Sequence, residues 1–171
     1  LRALGVRRLA MLTGDSAPAA ERAGKEAGMD EIHHSLLPEG KLDRLESIIR
    51  EERDGTWGKR GAVLFVGDGV NDAPVLARAD AGIAMGLGGA DAALESADVV
   101  LMSDEPSRVP EAIARARRTR SIVIQNIVLA LGVKLAFLSF GAFGLAAMWE
   151  AVIADVGVAL VAVLNSTRAL K

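Results

Sequence analysis

The chain changes solvent near Ser121. From Ile122 to Leu164 the only ionisable side chains are Lys134, Glu150 and Asp155, whereas residues 1–120 mix charge and apolar residues as a water-soluble α/β domain does. A bilayer crossing takes roughly 20 apolar residues, so this stretch has room for two. Ile122 to about Phe140 is the first. Gly141 to Met148 is rich in Gly and Ala and supplies the turn, Trp149 and Glu150 suit an interface, and Ala151 to Leu164 continues into Arg168 and Lys171. The expected spans are about 122–141 and 148–167. Arg108, Arg115, Arg117, Arg118 and Arg120 precede the first span, Arg168 and Lys171 follow the second, and the turn has no basic residue. The positive-inside rule then places both ends in the cytoplasm. The arginine cluster reads as an anchor to the membrane surface. The competing reading is a buried helical hairpin of a soluble protein.

The length of 171 residues allows one domain with an appendage. A net charge of −2 is too small to imply a nucleic-acid partner. Cysteine is absent, so neither a disulfide nor a thiolate metal site can form here. The first residue is Leu1, and no signal peptide precedes the α/β pattern, which reads as a segment of a longer protein.

Strand and helix signals alternate over residues 1–120. Arg8–Leu12 reads as a short strand, Ala17–Ala27 as an alanine-rich helix stopped by Gly28, and Glu31–Leu37 as a second strand ahead of Pro38. Lys41–Arg53 carries apolar residues at 42, 45, 48 and 49, a helical spacing. A loop follows at Asp54–Gly58. Ala62–Val66 is a continuous apolar run, as in a strand covered on both faces. A helix is expected from near Asp72, strands at Ala81–Ala84 and Val99–Leu101, and a helical stretch at Ala90–Ser96. The fold class is therefore α/β with a mainly parallel sheet, followed by the apolar hairpin.

In such sheets ligands bind at the carboxyl ends of strands, and two polar clusters stand there. In Thr13-Gly14-Asp15, the Thr13 hydroxyl and nearby backbone N–H groups can hold phosphoryl oxygens. In Gly67-Asp68-Gly69-Val70-Asn71-Asp72, Asp68 and Asp72 are hard oxygen ligands suited to Mg²⁺, and the glycines let the backbone turn tightly. Lys41, at a helix start after Pro38, can neutralise phosphoryl charge. Singly, each piece has a plainer reading: Asp-Gly is a common turn dipeptide, and a lone lysine is usually solvated. Their order along the chain is the signal.

Met11-Leu12-Thr13-Gly14-Asp15, Leu37-Pro38-Glu39-Gly40-Lys41 and Val66-Gly67-Asp68-Gly69-Val70-Asn71-Asp72-Ala73-Pro74 resemble the P-type ATPases of the haloacid dehalogenase superfamily. Ala79–Gly86 and Ala97–Met102 extend the resemblance through essentially the whole chain. It implies a haloacid-dehalogenase-like Rossmannoid sheet, present in part as the carboxy-terminal part of a phosphorylation domain over 1–120, and two transmembrane helices over 121–171. It also implies roles. Thr13 contacts the aspartyl phosphate and Asp15, beside Gly14, shapes the phosphate site. Lys41 stabilises the transferring phosphoryl group. Asp68 binds Mg²⁺, with Asn71 and Asp72 completing or supporting that site. The family's phosphorylated Asp-Lys-Thr-Gly-Thr motif and its nucleotide-binding domain are not among these residues, so this segment alone is expected to be inactive. Ser16 and Gly40 depart from the common pattern, where Asn and an acidic residue are frequent.

A charge within a membrane span costs roughly 2.5–3.5 kcal/mol on insertion scales and normally faces a partner or a pathway. Lys134 lies 14 residues after Arg120 and Asp155 lies 13 before Arg168. Both therefore sit roughly 20 Å along their helices, at similar depth in an antiparallel hairpin. They can pair, or alternate between pairing and contact with a divalent cation; a static ion pair that stiffens the hairpin is the alternative. Gly157, close to Asp155, is small enough to let helices approach. Asn126 and Lys134 on the first helix, with Asp155-Val156-Gly157 on the second, resemble the zinc-, cadmium- and lead-exporting subgroup. The Tyr-Asn and Met-x-x-Ser patterns of the copper subgroup are absent. The resemblance makes Asp155 a ligand of the transported metal and Lys134 its counter-ion, with further ligands from a Cys-Pro-Cys motif on an earlier helix. His33 and His34 read as structural or surface residues without a carboxylate at ligand spacing.

The expected activity is ATP-driven export of Zn²⁺, Cd²⁺ or Pb²⁺ through an aspartyl phosphate. ATP and Mg²⁺ are its cofactors. The expected partners are the metal, the lipid bilayer, and the nucleotide-binding domain and earlier helices of the same polypeptide. The rivals are a soluble phosphohydrolase of the same superfamily and a non-catalytic membrane-anchored binding segment.

Overall fold

The computed structural model describes residues 1–56, 60–68, 71–86, 95–144 and 147–170, less the side chain of Met148. It forms two compact units, Leu1–Val109 and Pro110–Lys171.

In the first unit the elements are β1 (Ala10–Leu12), α1 (Ala17–Glu26), β2 (Glu31–His33), α2 (Pro38–Asp54), β3 (Leu64–Gly67), α3 (Ala73–Arg78), β4 (Ala81–Met85) and β5 (Val99–Leu101). All strand pairs are parallel, as alternation predicts. Their hydrogen bonds, however, make two sheets, β1-β2 and β3-β4-β5, rather than one. β1 joins the larger sheet's core through side chains. Leu12, Leu42, Val63 and Phe65 all pack on the buried cluster of Leu45, Ile49 and Val75. Phe65 also packs on the second cluster, Leu76 and Ala84. Full burial of side chains such as Leu45 and Val75 is worth roughly 1.5–3 kcal/mol each, so α2 and α3 are held tightly against the strand ends.

Pro18, Pro38 and Pro74 each stand in the first turn of a helix, where a fixed φ and a missing N–H cost nothing. This is why α2 starts at Pro38 and not at Lys41, leaving Lys41 inside its first turn. Gly55 closes α2 in the left-handed conformation (φ 75°). β2 is shorter than expected because Ser35, at φ 55°, turns the chain. Its N–H donates to the Asp15 carbonyl (2.8 Å), and the Leu36 N–H donates to the Thr13 carbonyl (3.0 Å). The apolar run before Gly67 is not covered on both faces, since Leu64 is 38% exposed. Of the expected helical stretch 90–96, Glu95 and Ser96 are helical and the rest lies outside the described residues, as do Trp57 and Gly58 of the loop.

One device recurs at the strand starts. Asp30, immediately before β2, accepts from the Leu9 N–H (2.8 Å). Asp80, before β4, accepts from the Val63 N–H (2.9 Å), and Asp98, before β5, accepts from the Gly82 N–H (2.8 Å). Each acid thus ties the amino end of its strand to the neighbouring strand. The backbone N–H bond is the main reason that the Asp30 and Asp80 carboxyls lie below their ordinary values, with Arg2 and Arg53 adding to it.

In the second unit α4 spans Val109–Ala142 and α5 spans Met148–Ser166. Both are long and apolar enough to cross a membrane, and almost none of either apolar window is buried within the chain. Leu138 is 70% and Leu164 69% exposed. Glu150 caps α5 by accepting from the Ala147 N–H (3.1 Å).

Candidate functional site

The loop after β1 folds on itself. The Thr13 hydroxyl donates to Asp15 Oδ2 (2.8 Å), and the Asp15 N–H donates back to Thr13 Oγ1 (3.1 Å). The Thr13 N–H continues the parallel ladder by donating to the His33 carbonyl (2.9 Å). A side chain at Gly14 would approach the Leu36 carbonyl to 3.3 Å, which favours glycine there.

The loop after β3 ends at Asp72, which is 8% exposed and directly precedes α3. Lys41 Nζ donates to Asp72 Oδ1 (2.7 Å), with the two side chains 17% and 12% exposed. The contact follows from packing. Leu42 and Leu45 on α2 share a cluster with Val75 on α3, and this sets the two helix starts side by side. A Cβ at Gly67 would stand 3.0 Å from Asp72 Oδ2, so glycine is what lets the carboxylate lie over the end of β3. Asp68 and Asn71 are exposed on the same loop; Gly69 and Val70 lie outside the described residues.

The sequence-predicted residues of this unit therefore form two bonded pairs, Thr13–Asp15 and Lys41–Asp72, with Asp68 and Asn71 at the loop surface. Asp72 is buried and accepts from Lys41 through Oδ1, whereas Asp68 stands exposed in the loop. Among the described residues no group of three or more His, Asp or Glu side chains is arranged to hold a metal. Mg²⁺ needs no such cage. It is usually held by one or two carboxylates, keeps several waters, and shares phosphate oxygens. Asp68 supplies a carboxylate and Asn71 an amide oxygen, both exposed and both of the hard-oxygen type that demand calls for.

His33 is structural, as expected, but it does have a carboxylate beside it. Glu31 is a carboxylate within reach of His33, because residues two apart on a strand share a face. His33 Nε2 is 3.2 Å from Glu31 Oε2 and accepts from Arg44 Nε (3.1 Å). Arg8 donates to both Glu31 oxygens (2.7 Å each) and to Glu51 (2.8 Å), and Arg44 reaches Glu31 and Glu51. The hydrogen bond from Arg8 is the main reason that the Glu31 carboxyl lies below its ordinary value. This network links the strand segment of β1 and β2 to α2 and is structural.

In the second unit, Lys134 and Asp155 line one cavity of about 370 Å³ between α4 and α5, together with Ala130, Phe137, Ala151 and Val158. No ion pair or hydrogen bond joins them among the described residues. Among the described residues nothing approaches Gly157, since no atom lies within 4 Å of where its side chain would stand. Two residues past Asp155 is about 200° around a helix, which turns Gly157 away from the cavity. Sequence reasoning missed Asn165 and Ser166. Asn126 Nδ2 donates to the Ala162 carbonyl (3.2 Å) and to Ser166 Oγ (3.0 Å), and Asn165 Nδ2 donates to Asn126 Oδ1 (2.8 Å).

Comparison with known proteins agrees with this architecture. The haloacid dehalogenase-like hydrolase family model matches residues 1–80. The chain is 56% identical over its whole length to a zinc-transporting ATPase of Synechocystis sp., of which it covers 23%. It is 52% identical, again over its whole length, to a cadmium, zinc and cobalt-transporting ATPase of Bacillus subtilis, of which it covers 24%. The crystal structure of a zinc-transporting PIB-type ATPase in the E2.Pi state superimposes with a TM-score of 0.84 at 36% identity, over 99% of this chain and 26% of that one. A haloacid-dehalogenase-like α/β unit continued by an apolar helical hairpin is the arrangement shared. The chain belongs to the heavy-metal-transporting P-type ATPases. It spans about a quarter of the length of the relatives it matches.

Proposed function

We propose that this chain is part of an ATP-driven exporter of Zn²⁺, Cd²⁺ or Pb²⁺ working through an aspartyl phosphate. Residues 1–120 are the carboxy-terminal part of its phosphorylation domain and 121–171 its last two membrane helices, with the phosphorylation domain and the carboxy terminus in the cytoplasm. The observation that carries the reading is the shared cavity of Lys134 and Asp155, between two helices apolar enough to cross a bilayer. A carboxylate and an amine that share a cavity there and do not bond to each other are free to answer to a third charge.

In the α/β unit, Thr13 and the backbone beside Gly14 bind phosphoryl oxygens, and Asp15 holds the Thr13 hydroxyl in place. Lys41, oriented by Asp72, offers its positive charge to the transferring group. Asp68 and Asn71 hold Mg²⁺, which when bound neutralises phosphoryl charge. The phosphorylated aspartate, the nucleotide-binding domain and the remaining metal ligands belong to other parts of the polypeptide. Asp155 binds the transported ion, and Lys134 replaces its charge when it leaves.

The test is metal-stimulated ATPase activity of the full-length protein carrying Asp155→Ala. Zn²⁺ stimulation is expected to be lost. Stimulation equal to that of the unaltered protein would refute the ligand role.

A further inference from the structure

Lys134 and Asp155 share a cavity without a bond between them, and Gly132 and Gly157 both face open space. Neither the charges nor close packing of these glycines fixes the height of one helix against the other at that level. A polar cluster further along the hairpin does. Asn126 donates to Ala162 and Ser166, and Asn165 donates to Asn126 and, at 3.4 Å, to Gln125, so four side-chain hydrogen bonds cross from α4 to α5. Arg168 Nη1 donates to Asn165 Oδ1 (3.0 Å) and holds that amide in orientation.

The register of this cluster predicts the register of the cavity. Lys134 is eight residues beyond Asn126 on α4, about 12 Å along the axis. Moving eight residues back along α5 from the Ala162–Ser166 end of the cluster leads to Ala154–Val158, a window that contains Asp155. A slip of one helical turn, about 5.4 Å, breaks all four bonds and takes Lys134 off the level of Asp155.

We infer that Asn126 and Asn165 are positioning residues: their amide pair sets the height at which Lys134 meets Asp155 across the cavity, leaving both charges unbonded and available to an ion. The inference rests on the reading of Asp155 and Lys134 as the intramembrane metal site. An amide pair suits this task because each partner both donates and accepts, so it fixes register without adding a charge that competes for the ion.

The test is ATP hydrolysis by the full-length transporter as a function of free Zn²⁺. For Asn165→Ala the half-saturating Zn²⁺ concentration is expected to rise about tenfold with the maximal rate retained, as when a metal ligand loses an outer partner. Asn126→Ala is expected to do the same. The double variant is expected to fall well short of the product of about a hundredfold, because the bond from Asn165 to Asn126 is lost in either single variant. An unchanged half-saturation for Asn165→Ala, or a double variant at the product, overturns the inference. If Asn165→Ala does not assemble in the membrane, Asn126→Asp keeps the acceptor for Asn165 and loses both donations to α5. A half-saturation above wild type is then expected, and the wild-type value overturns the inference. Asp155→Ala in the same assay separates the two failures. Retained Zn²⁺ stimulation there removes the metal site and the inference with it. Lost stimulation beside a normal Asn165→Ala curve removes only the positioning role.

Discussion

Lys41 and Asp72 are 31 positions apart, and each taken alone is an ordinary surface residue. Their 2.7 Å contact makes them a unit. With 17% and 12% of the side chains exposed, removing the ammonium leaves a largely desolvated carboxylate without its partner, a loss of roughly 1–3 kcal/mol. Lys41→Met is therefore expected to lower the thermal unfolding midpoint of the full-length protein in detergent. Adding Asp72→Asn should recover part of the loss, because no stranded charge remains. Losses that simply add would show that the two side chains are independent. The motif order along the chain singled out both residues. What it could not supply was their pairing, which arises from Leu42 and Leu45 meeting Val75 in one cluster.

At the scale of elements, helices were easier to read than strands. Gly28, at positive φ, stops the first helix as expected, and the helices at 17 and near 72 begin where they were expected, while Pro38 opens α2 three residues ahead of the expected Lys41. The three-residue strands β1, β2 and β5 are too short for alternation to define their limits, and β2 ends where Ser35 turns, a position no composition rule marks. Asp80 and Asp98, which open β4 and β5, were legible only as fragments of family motifs, and Asp30, which opens β2, was not singled out; their bonds to the neighbouring strand explain why an aspartate stands at each place. Asp80 gives the test. Its carboxyl, held below the ordinary 3.8 chiefly by the Val63 N–H, stabilises the fold at neutral pH. That contribution is complete above about pH 3.8 and is lost as the pH falls through the lower folded value. Asp80→Ala should therefore lower the unfolding midpoint at neutral pH by an amount equivalent to about 1 kcal/mol. The difference from wild type should close in stronger acid, and Asp80→Asn, which keeps an acceptor, should lose less. A difference that is constant with pH would contradict the assignment.

Across the whole chain, two kinds of surface coexist. The α/β unit buries apolar residues in two clusters, whereas α4 and α5, each long and apolar enough to cross a membrane, leave theirs exposed among the described residues. The two charges within that exposed hairpin were visible from sequence as costly exceptions, and their depth followed from counting residues. Their common cavity needed the structure, as did the amide cluster, whose members are 39 positions apart. In the proposed function, phosphate chemistry in one unit moves a cation past Asp155 in the other. ATP-dependent Zn²⁺ accumulation in inside-out vesicles bearing the full-length protein measures this directly. The account predicts accumulation by the unaltered protein and none by either Asp68→Asn or Asp155→Ala. Accumulation by Asp155→Ala at the unaltered rate would contradict it.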